Sequence, residues 1–205
     1  MAELASSRPG DIPWVDPRVE RSRTVILSAA LALLGEMGYG GLTIEAVAAR
    51  AGVGKSTVYR HWSGKLELVE DAIRTLKAGV TVPAAGSVRD RLVDVLRQIA
   101  QNMAASTWSS CLPAIIDAAE RDPEVLDIQR RLSRERRQLI VDLLAEGRAT
   151  GEVPDVDLTL LAECLVGPIV VRRLLLHEPF APDAVPRLVD QLLPPGEEPP
   201  GRRGP

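Results

Sequence analysis

Apolar residues in this chain recur at helical spacing almost throughout. Ile26, Ala30, Leu33, Leu34 and Met37 repeat at i, i+3 and i+4 and predict a first helix over 18–37, ended by Gly38 and by Gly40 and Gly41. Ile44, Val47, Ala48 and Ala51 give a short second helix one apolar face. Thr43 precedes it as an N-cap, Glu45 stands in its first turn to favour the helix dipole, and Gly52 follows as a left-handed C-cap. Val53 plugs a tight turn, and Ser56, Thr57, Val58, Tyr59 and Arg60 start another helix with Val58 inward and polar groups outward. Two short helices joined in this way predict a helix-turn-helix, whose second helix suits a DNA major groove.

The same periodicity continues to the other end. Leu66, Val69, Ile73 and Leu76 mark a helix over 65–77. A Pro- and Gly-containing connector over 79–86 separates it from a helix over 88–105, capped by Ser87 and faced by Leu92, Val95, Leu96, Ile99 and Met103. Further helices are predicted over 109–120, with Pro113 in the first turns; from Asp122-Pro123 to Gly147 or Gly151; from the cap Asp157 to about His177; and over 183–193. No strand-like alternation is present. The expected fold is all-α: an N-terminal three-helix helix-turn-helix head over 18–78 and a C-terminal helical ligand-binding and dimerisation domain over 79–193. Residues 1–17 and 194–205 are rich in Pro and Gly or Ser and are expected to be disordered tails, with Trp14 loosely held in the first.

Charge sharpens the division. The net charge of −3 argues against a nucleic-acid partner by itself. Residues 18–78, however, carry nine Lys/Arg against six Asp/Glu, whereas 79–205 carry 15 against 19. A basic head on an acidic body is the asymmetry expected when only one part meets phosphate. Aromatics are only 3% of the chain, so the core is Leu, Val, Ile and Ala, which suits helices. Cys111 and Cys164 have no metal-ligand spacing and are expected as reduced thiols. The longest membrane candidate, 158–176, is interrupted by Glu163, Pro168, Arg172 and Arg173, so no membrane contact is expected and the predicted location is cytoplasmic, at the nucleoid when DNA-bound.

The run GxTIEAVAARAGVGKSTVYRHWSGKLELV, preceded by a long helix, resembles the DNA-binding segment of the TetR family of bacterial transcriptional repressors almost position by position across 20–77. The fragments AAERDPEV, GRATGEV and CLVGPIVVRRLL resemble one common type of C-terminal domain in that family. The resemblance implies an all-helical homodimer that binds a palindromic operator in double-stranded DNA and leaves it when a small molecule enters the C-terminal core. Carried over to this sequence, Thr43 would hold phosphate from the start of the second helix. Lys55, Ser56, Thr57 and Arg60 would face base edges or nearby phosphates, Tyr59 and His61 would contact the backbone, and Lys65 would sit on phosphate at the start of the next helix. Gly54 departs from the Ser often found there and caps the recognition helix less firmly.

Competing readings are weaker. GKST at 54–57 resembles a nucleotide-binding loop, but that motif needs Gly where Ala49 stands, and a preceding strand. No nucleophile–base pair, carboxylate pair or metal cluster supports an enzyme, and no cofactor is expected beyond a small-molecule effector. Trp62 reads as packing between head helices and His61 as DNA-facing. Met103, Trp108, Cys111, Ile115 and Cys164 are candidate pocket residues, with ordinary core packing the alternative; together they suggest an apolar or aromatic effector. Leu161, Leu165, Pro168, Val171 and Leu175 are candidate dimer-interface residues, in helices near 157–177 and 183–193 that would pair with their copies as a four-helix bundle. The basic run Arg130, Arg131, Arg134, Arg136 and Arg137 reads as a solvated face paired with Asp127 and Glu135. A transcriptional activator, or an effector-independent DNA-binding protein of the same fold, is the alternative function.

Overall fold

A computed structural model describes residues 17–77, 80–104 and 106–193, without the side chains of 17, 18, 76, 77 and 106–109. Residues 1–16, with Trp14, and 194–205 of the expected tails, and the Trp108 side chain, lie outside the described residues, while Pro17 of the first tail already belongs to a helix. Among those residues the structure is helical with no strand: α1 (Pro17–Gly41), α2 (Ile44–Ala51), α3 (Lys55–Tyr59), α4 (Lys65–Lys77), α5 (Val88–Ala104), α6 (Ser106–Ala119), α7 (Pro123–Thr150), α8 (Leu158–Leu174), a 3-10 turn (Pro182–Ala184) and α9 (Val185–Leu192).

Local chemistry sets most of these ends. Asp122 caps α7 by accepting from the Glu124 N–H, and Asp157 caps α8 by accepting from Thr159 and Leu160. Gly151, at φ 82°, closes α7 in the left-handed conformation. Two boundaries differ from the periodicity. Helical structure runs past Met37 to Gly41, although Gly38, at φ 71° and ψ 176°, breaks the backbone where the sequence places the stop. α6 begins at Ser106 rather than 109, which puts Pro113 in mid-helix instead of the first turns. Proline there removes one intrahelical hydrogen bond, a loss the buried neighbours Cys111 and Ile115 help to offset.

α1 packs against α2 and α4 on one side and along α6 on the other, and α5 is surrounded by α6, α7, α8 and α9. A single apolar cluster runs from Ile26, Leu34 and Val58 through Leu96 and Cys111 to Leu144, Leu165 and Val189, so head and body share one core. Apolar length and composition alone would let Val19–Gly41 cross a bilayer. Ile26, Leu27, Ala30, Leu31 and Leu34 of that helix are instead buried in the shared core. Residues 80–87 cross between the two parts without helix. They are pinned to α5, since the Gln98 amide exchanges hydrogen bonds with the Thr81 backbone and Arg91 Nε donates to the Pro83 carbonyl.

Gly147 has less room for a Cβ than any other described glycine. A Cβ there would lie 2.6 Å from Val153 Cγ2 and 2.8 Å from Val88 Cγ1, both on stiff β-branched side chains. Gly147→Ala is expected to cost about 1–2 kcal/mol, because overpacking exceeds the roughly 1 kcal/mol gained in helix propensity. Calorimetry should show the melting temperature falling by several degrees; an unchanged or raised value would show that the Val88–Val153 contact yields freely.

Candidate nucleic-acid interface

The helix-turn-helix is built from its caps outward. The Thr43 hydroxyl accepts from the Ala46 N–H at 3.1 Å, which leaves its own proton free to donate to a phosphate. Gly52, at φ 67°, sends its N–H to the Ala48 and Ala49 carbonyls, and Val53 N–H also returns to Ala48. This closure turns the chain within three residues, and only a residue without Cβ takes that backbone at no cost. α3 follows with Gly54 at the N-cap and no side-chain cap bond.

Two buried side chains orient α3. Val58 and Trp62 are sunk in the core. The Trp62 indole N–H donates to Asp71 Oδ2 of α4 at 2.9 Å, and the same oxygen accepts from the Arg23 guanidinium of α1. Asp71 thus joins α1, α4 and the end of the recognition helix at one atom. Sequence reading missed it; an acid between the inward-facing Leu68 and Ala72 is the signal that could have found it.

The opposite face of α3 is exposed and polar. Lys55, Ser56, Tyr59 and Arg60 lie on the surface, Tyr59 with 53% of its area open, and Thr57 is half-buried. Arg60 folds back along the helix, donating to the Ser56 carbonyl and, at 2.9 Å, to the Thr57 hydroxyl. Lys55 Nζ stands 2.8 Å from Glu45 Oε1 at the start of α2. His61 is half-buried, its ring 5.1 Å from that of Trp62. Lys65 opens α4 as predicted, but its ammonium sits 4.0 Å over the Tyr39 ring, and burial pushes its pKa below the ordinary value while Asp122 pulls the other way. The structure therefore brings Thr43, Lys55, Ser56, Thr57, Tyr59 and Arg60 together on the helix-turn-helix, α3 and the start of α2. Lys65 it places at the seam with the body.

That seam has three parts. Tyr39 and Leu66 pack on Ala118, Ala119 and Val125 at the α6–α7 turn. Glu70 and Arg74 of α4 meet Arg131 and Glu135 of α7, so two of the exposed charges on the run's helix also pair across to α4. Arg137 likewise reaches Glu163 of α8. α1 lies along α6, where the Cys111 thiol donates to the Leu31 carbonyl at 3.2 Å and burial raises the thiol pKa.

Within the body, Met103, Cys111 and Ile115 are buried, with Cys111 turned toward α1. Cys164 is exposed and so does not share their interior. The interface set also divides. Leu161 and Leu165 belong to the inward stripe of α8 with Leu158 and Ile169, and Leu165 is fully buried in its own protomer. The outward stripe is Leu160, Cys164, Val171 and Leu175, with Leu160 58% and Leu175 72% exposed and Pro168 half-buried. Both stripes are apolar, so periodicity alone did not tell them apart.

Comparison with known proteins agrees with this architecture. The family model described as bacterial regulatory proteins of the tetR family matches residues 26–72, and one described as a tetracyclin repressor-like C-terminal domain matches 82–192. An HTH-type transcriptional regulator of Mycobacterium tuberculosis is 32% identical over 196 residues, covering 92% of each chain. The DNA-binding transcriptional repressor TetR of Mycobacteroides abscessus is 31% identical over 183 residues, covering 86% of this chain and 94% of that one. Among solved structures, the TetR family transcription regulator SCO0332 superposes with a TM-score of 0.65 at 33% identity, over 84% of this chain and 97% of that one. With a helix-turn-helix clamped by Val58 and Trp62 and both family models matched along its length, this chain belongs to the TetR family of bacterial regulators, helix-turn-helix proteins that bind DNA to control transcription.

Proposed function

We propose that the protein is a cytoplasmic, homodimeric repressor that holds a palindromic operator and releases it when a small apolar or aromatic molecule enters the body. The observation that carries the reading is the outward face of α3, with Lys55, Ser56, Tyr59 and Arg60 exposed on a helix whose other side is anchored by Val58 and Trp62. Thr43, Tyr59 and His61 supply backbone contacts that fix register. Lys55 and Arg60 suit guanine, and Thr57 suits a thymine methyl. The exposed apolar stripe on α8 supports pairing of two copies, which sets the recognition helices about one DNA turn, roughly 34–36 Å, apart.

Release follows from the seam. α6 touches α1 along its length, and the α6–α7 turn touches Tyr39 and Leu66, so an effector that prefers a displaced α6 shifts both heads away from the operator spacing. α4 also links head to body, through its contacts with α1 and α7. Val69 and Ile73 are buried in the shared core, while Leu66 joins the cluster at the turn. Met103 and Ile115, apolar and buried on α5 and α6, support an effector of low polarity. A compound screen in which only strongly anionic molecules release DNA would contradict that class.

The test is selection of bound duplex from a random pool, followed by a salt titration on the selected sequence. A palindrome should be enriched. Affinity should fall steeply as salt rises, because cations that meet phosphate release counterions. Lys55→Ala and Thr57→Ala should each weaken operator binding, by about 5- to 100-fold for the lysine, with the dimer intact in sedimentation. Wild-type affinity in both variants would remove these residues from the interface.

A further inference from the structure

The recognition surface carries one acid beside its leading cation. Glu45 lies in the first turn of α2 and Lys55 is the first residue of α3. Oε1 and Nζ are 2.8 Å apart, and both side chains are more than half exposed, at 55% and 57%. An exposed pair of this kind adds little to stability. On a face that meets phosphate, a carboxylate also opposes general DNA binding, because it neutralises Lys55 and repels the backbone. The hydrogen bond from Lys55 holds the Glu45 carboxyl below its usual pKa range, so the acid stays charged.

A pair that contributes little to the fold and opposes non-specific binding fits a role in discrimination. In the major groove a G·C pair presents two neighbouring acceptors, guanine N7 and O6, and beside them the cytosine N4 amino donor. An ammonium has three protons and no acceptor, while a carboxylate only accepts. With one proton on Glu45, Lys55 has two left for N7 and O6, and Glu45 has lone pairs left for the cytosine amino group. Against A·T the ammonium meets one purine acceptor, and the adenine amino group stands where O6 would be. We propose that Glu45 is a specificity-determining residue, the Lys55–Glu45 pair reading one G·C base pair in each half-site. The inference rests on α3 lying in the major groove, as the proposed function has it.

The test repeats the pool selection with the full-length wild type, Glu45→Ala, Glu45→Gln and Lys55→Ala, each first checked for an unchanged melting curve. The wild type should select a G·C pair at one symmetric position per half-site. Discrimination there, measured by competition against A·T at that position, should fall about 5- to 100-fold in Glu45→Ala and in Lys55→Ala, with other positions retained. Glu45→Gln keeps a carbonyl acceptor but releases Lys55, and should fall between wild type and Glu45→Ala. Both Glu45 variants should bind random duplex more tightly and with a steeper salt dependence, since Lys55 becomes available to phosphate. Selected sequences unchanged in Glu45→Ala, an equal loss for every sequence, or A·T at the affected position would each overturn the inference while leaving the operator reading intact. A wild-type pool with no enriched palindrome would remove both.

Discussion

Leu160→Arg combined with Leu175→Arg is expected to convert the protein to a monomer. Leu160 faces outward on α8 and Leu175, its C-cap residue, continues the same stripe, the two being 58% and 72% exposed in the single chain. Burying one leucine contributes about 1.5–3 kcal/mol. A two-fold interface uses each residue twice, so four leucines are withdrawn at a cost of about 6 kcal/mol or more. Four guanidinium groups near the axis add like-charge repulsion. Sedimentation at micromolar concentration should show a dimer for the wild type and a monomer for the double variant. Circular dichroism should be unchanged, because neither side chain supports the protomer core. Operator binding should fall steeply as well, since a lone head keeps its own contacts but loses the coupling to its partner. A double variant that remains dimeric would move the interface away from this stripe. Leu165 would make a poor probe of the same question: it is fully buried in its own protomer, so its substitution unfolds the subunit before it reports on pairing.

Trp62→Ala is expected to abolish operator binding although the indole faces away from the DNA side of α3. The ring is 2% exposed and fills the space between the recognition helix, α4 and α1. Removing a buried tryptophan costs about 3–5 kcal/mol, a large share of the stability of any domain. Asp71 then keeps Arg23 but loses the indole donor, so the end of α3 is no longer fixed to α4. Because one apolar cluster spans head and body, the loss should appear as a single shift of the whole denaturation curve and not as melting of the head alone. Asp71→Asn is the informative companion. It keeps an oxygen for the indole, removes only the half-exposed ion pair with Arg23, and should weaken binding far less. A Trp62→Ala protein that binds operator normally would show that Val58 alone orients the helix.

Much of this was legible in the order of residues. Thr43, Gly52, Asp122, Gly151 and Asp157 punctuate the chain by local chemistry, and each cap acts within a few residues of itself, so its effect is visible before any folding. The alternation of Val58 inward with Ser56, Tyr59 and Arg60 outward was equally local, a consequence of 3.6 residues per turn. These features determined an all-helical chain, the helix-turn-helix and the polar face of α3.

What remained undetermined depends on which residues meet across the fold. The two stripes of α8 are both apolar, and only packing against α5 and α7 decided that Leu161 and Leu165 turn inward while Leu160 and Leu175 turn outward. Cys111 and Cys164 look alike in sequence, yet one donates to the Leu31 carbonyl inside the core and the other lies on the surface. Glu45 reads locally as a helix-dipole residue. Its place beside Lys55 exists because the turn at Gly52 and Val53 folds α3 back across α2, and Asp71 serves three helices only because they converge on it. Periodicity assigns a residue to a face of its own helix; it carries no term for the neighbour that face will meet, and that term decided the pairings, the seam and the exposed stripe.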